Sequence, residues 1–428
     1  MSKFLGSLIL LLLCASLTGV QAQEKTVGWY VNTGWEAYRN GDSEKAIKLL
    51  VTADSLRPSI PFLLRYLSIV SIDLGDFDRT IDYLDQLSLL NADIEFLEHE
   101  AFADIKDEPA FQQISKKFTD INKLVTVSDT AFTLTDKLIH PQGIAFDPSS
   151  GSFLVSSIHK GKVVRKRGRQ PESDFVTKRL WAASGMAADV QNRWLWIGTG
   201  GTNRWIGYDE MLHQNKSKVI KVDLQTGAFL EEFFSFEDGP HFFGDLVVQP
   251  GSDHVYVADA RSPSLYMIDP DNQRLNLVQR FDNLESLRSV TFSSDGKYLF
   301  FSDFRYGLFR FSMDSGETIS IPAIDGIGFK AIDGAYFYNN SLILIQRQVR
   351  PRRITKCELN EDLSAITACT YLEKANPILN EPTQGILVGD VFYYVANSSW
   401  RRYGQGGIIA AEDEHPVPLV MKINLKDH

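Results

Sequence analysis

Two chemistries are suggested by the polar residues that flank the strand-like runs of this chain. Asp245, Arg288, Asp333 and the neutral Gln142 stand at the starts of apolar runs. Arg305, Gln346 and Asn397 stand at or just past the ends of others, with Arg350 close behind. An arginine presents a rigid fork of donors that fits a carboxylate or a phosphate, so Arg288, Arg305 and Arg350 point to an anionic ligand. A carboxylate such as Asp333, or the imidazole of His159, can instead carry a proton between water and a substrate. No Ser-His-Asp order, phosphate-cradling glycine loop or HExxH motif supports another chemistry. The choice between the two depends on which side chains the fold gathers.

The elements that must do the gathering are short strands. Residues 140–165, HPQGIAFDPSSGSFLVSSIHKGKVVR, read as strand, Asp-Pro-Ser-Ser-Gly turn, strand, turn, strand. The pattern returns from Gly244, Ser289, Ile332 and Gln384, and the inner-strand starts Gly143, Gly185, Asp245, Ser289, Gly334 and Gly385 are spaced by about 40 to 60 residues. Six such units predict a mainly β protein, a six-bladed β-propeller over 129–428. Residues 131–135 precede the first inner strand and are expected to close the ring against 416–425, because closure removes exposed sheet edges. In such a ring the inner-strand starts meet at one mouth of the central channel: Gln142, Ser184, Gly244 beside Asp245, Arg288, Asp333 and Gln384. The second-strand ends bring residues 156–159, Asp259, Arg261, Asp303, Arg305, Gln346 and 397–400 to the same mouth. Asp259 and Asp303 precede turns, where they read equally well as backbone caps.

Ahead of the strands, residues 26–124 read as helical repeats of tetratricopeptide type. Gly34, Ala37, Tyr38, Gly41, Asp42, Ala46, Leu50 and Ala53 mark one unit, and Leu64, Gly75, Asp76, Phe77, Thr80 and Leu84 a looser second. A third, degenerate unit carries Pro109 at a helix start. Such repeats offer a groove for a protein partner or a packed extension. Residues 1–22 combine Lys3, a short apolar run and Val20-Gln21-Ala22, the pattern of a secretory signal peptide. The expectation is an exported chain, periplasmic or extracellular, with no membrane span. Cys357 and Cys369 flank an Asn-Glu-Asp turn and are placed either to bridge two paired strands or to remain buried thiols. A net charge of −10 offers no basic face for nucleic acid. The basic run 160–169 is interrupted by apolar residues and reads as a solvated strand edge.

At these residues the chain resembles a known family. PQGIAFD, GDLVV, DGKYLFFSD, AIDGAY and EPTQG with YYVANSSW resemble the senescence-marker-protein/gluconolactonase, or regucalcin-like, family. They resemble more closely a bacterial branch with tetratricopeptide repeats before the propeller. The resemblance implies a six-bladed propeller, one divalent cation in the channel, calcium or zinc, and hydrolysis of sugar lactones. The family's metal ligands fall on Gln142, Gly244, Arg288 and Asp333, of which only Asp333 keeps its type. Arg288 sets a permanent cation where the metal would sit.

Two functions follow. The first is a propeller holding a small polar or anionic ligand at the channel mouth through Gln142, Arg288, Arg305, Gln346, Arg350 and Asn397, with the helical repeats for a protein partner. The second is a metal-dependent lactone or ester hydrolase. There Asp333, Asp245 and Glu381 would hold the cation, and Asp333 or His159 would move the proton.

Overall fold

In every blade the second strand lies between two neighbours, and in most it is buried on both faces, which explains its continuous apolar reading. Tyr298–Asp303, Ser341–Gln346 and Val255–Asp259 are examples. Outermost strands such as Arg274–Arg280 are half exposed and carry the charges. The computed structural model describes residues 25–270, 274–324, 326–404, 407 and 409–428. The signal peptide expected over 1–22 lies outside them.

The chain divides at Pro58 into two compact units. In the first, helices α1 (Val27–Arg39) and α2 (Ser43–Leu56) form a hairpin. Gly34 lets the helices approach closely, since a Cβ there would lie 3.0 Å from Leu50 Cγ. Asp42 caps α2 by accepting from Lys45 N at 3.0 Å.

The second unit begins with the hairpin of α3 (Pro61–Asp73) and α4 (Phe77–Leu90), whose turn carries Gly75 at φ +77° before the cap Asp76, as Gly41 at φ +81° precedes Asp42. Two short 3₁₀ turns follow, then α5 (Pro109–Ile121), with Pro109 at its first position. No described helix is long and apolar enough to cross a membrane.

The rest is a six-bladed β-propeller of antiparallel sheets. Its inner strands, in order of blades 1 to 6, are Pro141–Asp147, Ala182–Asp189, Phe243–Val248, Leu287–Phe292, Ile332–Tyr338 and Gly385–Val388. Asp129–Thr133 pairs with Leu419–Asn424 as the outermost strand of blade 6, so the last blade is built from both ends of the ring. A fifth strand, Val125–Thr126, extends blade 5.

Apolar clusters fill the clefts between blades, as where Tyr256 and Leu265 of blade 3 meet Val290 and Phe301 of blade 4. Buried hydroxyls stitch the inner strands together. Ser156 Oγ donates to Ser184 O, Ser184 Oγ to Phe243 O, and Ser302 Oγ to Ile332 O, each crossing to the next blade. Cys357 and Cys369 are cross-strand neighbours joined by a disulfide.

Candidate functional site

The inner strands begin with a defect. In blades 3, 4 and 5 the pairing with the second strand slips by one residue, between Phe243 and Asp245, Leu287 and Ser289, and Ile332 and Gly334. The residues skipped are Gly244, Arg288 and Asp333. Blades 1 and 2 slip likewise, around Gln142–Gly143 and Ser184–Gly185. A β-bulge leaves one residue unpaired and re-aims it. Gln142, Gly244, Arg288 and Asp333 accordingly line one cavity of about 560 Å³ at the channel mouth. Gln384 forms part of its floor, its Nε2 reaching from blade 6 to Gly244 O of blade 3 at 3.1 Å.

All six blades contribute to the cavity wall, and the wall is strongly cationic. Seven arginines face it, Arg204, Arg261, Arg288, Arg347, Arg350, Arg352 and Arg401, against two carboxylates, Asp333 and Glu381. Arg347 Nη2 donates to Asp333 Oδ1 at 2.9 Å, and Arg401 Nε lies 3.4 Å from Glu381 Oε1. The guanidinium of Arg204 stacks over Trp400 at 4.4 Å, and that of Arg347 lies 5.2 Å from the same ring. Trp400 is held in turn by its Nε1 donating to Gln142 Oε1 at 3.1 Å.

Burial lowers the pKa of Arg204, Arg288 and Arg352 from the ordinary arginine value, and the charge of Arg347 adds to the lowering at all three. The guanidinium groups nonetheless stay charged. Arg204 Nε, Arg288 Nε, Arg352 Nε and both Nε and Nη1 of Arg347 are buried without a hydrogen-bond partner among the described residues. Buried donors normally find acceptors, and these five nitrogens have none among the described residues.

The segment carrying three of these arginines is braced from outside the ring. Arg350 N donates to Leu90 O, and Ala92 N donates back to Arg350 O, both at 2.9 Å. Arg353, fully buried, donates from Nη2 to Leu89 O at 2.7 Å, where the end of α4 concentrates negative carbonyl charge. The α3–α4 hairpin is therefore part of the scaffold that holds the 347–352 segment.

Of the residues expected at the mouth from sequence, Gln142, Gly244, Arg261, Arg288, Asp333, Gln384 and Trp400 line the cavity, as do Arg350 and Glu381. The others have different employment. Gln346 is buried, donating to Gly328 O and Lys330 O and accepting from Arg353 Nε. Asn397 bonds Val417 O and Leu419 N, tying blade 6 together. Arg305 pairs with Glu285 at 2.5 Å, away from the cavity. His159 does not line the cavity. Its Nδ1 donates to Arg204 O at 2.8 Å, so it positions the loop that carries Arg204. Asp259 and Asp303 take the capping role, Asp303 accepting from the backbone N–H groups of Glu285, Ser286, Arg305 and Tyr306.

The three carboxylates expected to hold a cation are not gathered. Asp245 lies outside the cavity lining, accepting from Ser289 Oγ at 2.9 Å and Val290 N at 3.1 Å, while Asp333 and Glu381 face different arginines. No cluster of three or more His, Cys, Asp or Glu side chains suited to a metal occurs among the described residues. With Arg288 and Arg347 beside Asp333, the donor set does not fit a divalent cation.

Arg204, Arg347, Arg352 and Arg401 escaped the sequence reading, whereas Trp400 ends the stretch 397–400 expected at the mouth. A signal was present: QRQVRPRR, residues 346–353, puts four arginines in one short stretch of an acidic chain. The basic run 160–169 drew notice instead, yet Lys160 and Lys162 are spent on Asp136 and Asp174.

No protein-family model matches the chain, and no curated protein does. Solved structures do. An oxidoreductase described as a glucose dehydrogenase, from Thermus thermophilus, matches 70% of this chain and 100% of its own, with 11% identity and a TM-score of 0.49. A chain of the nidogen/laminin complex matches 59% of this chain and 94% of its own, with 13% identity and a TM-score of 0.42. Hydrazine synthase of Kuenenia stuttgartiensis matches 62% of this chain and 76% of its own, with 15% identity and a TM-score of 0.43. The chain is similar to these only in general form, and its function has to be argued from its own residues.

Proposed function

We propose that this chain is an exported propeller protein that holds a small anionic ligand at the mouth of its central channel. The observation that carries the reading is the excess of arginines over carboxylates around one cavity, with five buried arginine nitrogens still unbonded. Guanidinium forks brought from blades 2, 4 and 5 suit carboxylate or phosphate oxygens. The disulfide between Cys357 and Cys369 supports export, since such bonds persist in oxidising compartments. The helical hairpins, read as tetratricopeptide repeats, leave a protein partner as a second role.

The hydrolase reading needs a cation site built from Asp333, Asp245 and Glu381, and the separate partners of these groups favour the binding reading over it. Isothermal titration of the purified protein with inorganic phosphate and with citrate tests the proposal. Binding is expected for at least one, with Arg347→Gln weakening it at least tenfold while the far-ultraviolet circular dichroism stays unchanged. Equal affinity in the wild type and in Arg347→Gln would place binding elsewhere and remove the proposal.

A further inference from the structure

Resting on that reading, the distribution of unbonded donors says more about the ligand. Arg204 enters from the loop after the second strand of blade 2, Arg288 from the bulge of blade 4, and Arg347 and Arg352 from blade 5. Arg347 is the meeting point. Its charge acts on Arg204, Arg288 and Arg352 alike, yet its own acidic partner is the single carboxylate Asp333. A lone carboxylate accepts about four hydrogen bonds, fewer than the N–H groups on the five unbonded nitrogens. It also carries one charge, against an excess of cations several times larger.

We infer that the ligand is a compact polyanion bearing at least two negative charges, a phosphate monoester or a polycarboxylate, with one anionic group seated between Arg204 and Arg347. Trp400 serves this seat by fixing the two guanidinium groups, since both lie over its ring while Gln142 pins the indole. His159 serves it by holding the Arg204 backbone. A neutral or singly charged sugar of the same size leaves cations unanswered in a partly buried place, and such a residue of charge is costly. Charge count therefore governs selection more than shape.

The test is isothermal titration of the mature protein at fixed pH and ionic strength with glucose, gluconate, glucose 6-phosphate and citrate. Glucose is expected to give no binding and gluconate weak binding. Glucose 6-phosphate or citrate is expected to bind at least tenfold more tightly than gluconate, the tighter of the two identifying phosphate or carboxylate as the preferred group. Arg204→Gln is expected to erase most of that advantage, weakening the tighter polyanion by a clearly larger factor than gluconate. Trp400→Phe keeps a ring under the arginines and is expected to lose only a few-fold. Gluconate binding as tightly as both polyanions would overturn this inference and leave the simpler anion reading standing. Glucose binding with all anions silent, or no binding by a protein shown to be folded, would overturn both.

Discussion

Asp333 is the residue on which the two functional readings make opposite predictions. In a metal site it is indispensable, whereas among arginines it competes with the ligand for Arg347. Asp333→Asn is therefore expected to tighten citrate or phosphate binding several-fold, measured by titration, while lowering stability by about 1–3 kcal/mol. Loss of binding in that variant would count against the arginine site. Asp245 shows how finely side-chain direction is set: its neighbour Gly244 lines the cavity, while Asp245 is buried beside Ser289.

Burial pushes the Asp245 carboxyl up to about 6, against an unfolded value near 3.8. The folded chain holds that proton more tightly, so stability falls as pH climbs from about 4 to 6, and the charged form burdens the fold above that window. Asp245→Asn keeps an acceptor and removes the charge. Its unfolding free energy from urea titration is expected to exceed that of the wild type at pH 8, by about 3 kcal/mol, and to match it at pH 4. Sequence alone placed Gln142, Arg288 and Asp333 correctly because they begin strands. It could not show that Gln346 and Asn397 turn away, since the acceptors they satisfy come from distant loops.

Bulges, turns and a buried carboxylate do the corresponding work at the level of elements. Strand limits were legible because turn residues punctuate them: the Asp-Pro-Ser-Ser-Gly turn is followed directly by the strand Ser152–Ser157. The 346–353 segment was not, because its course depends on the end of α4. The stretch 126–128, between α5 and the propeller, is held by Glu373, fully buried, whose Oε1 accepts from Thr126 Oγ1, Val127 N, Ser128 N and Ser128 Oγ while Oε2 accepts from Asn376 Nδ2. Glu373→Gln replaces an acceptor with a donor facing donors. It is expected to cost about 2–3 kcal/mol, read as a lowered midpoint in thermal or urea unfolding. The disulfide closes a short loop in the same blade, and its reduction is expected to cost a further 2–3 kcal/mol or so. Unfolding with and without reductant checks this, and Cys369→Ser should show no dependence on reductant.

The whole ring depends on one seam. Phe132 of the closing strand packs near Phe153 of blade 1, their ring centres 5.1 Å apart, within an apolar cluster that includes Val420 and Val395 of blade 6. Phe132→Ala is expected to destabilise by about 2–4 kcal/mol and to increase self-association in light scattering, because a loosened seam exposes a strand edge. The expectation that residues near 131–135 meet 416–425 came from the general need to close a ring; the pairing Asp129↔Lys422 could come only from the structure.

That seam also sets an order of assembly. Thr130 and Met421 stand 291 positions apart, so a chain emerging from a ribosome carries the first half of its clasp long before the second exists. Five blades can stack in turn while the sixth waits. A chain that breaks off before Leu419 would leave the ring open, offering its unpaired strands to other chains.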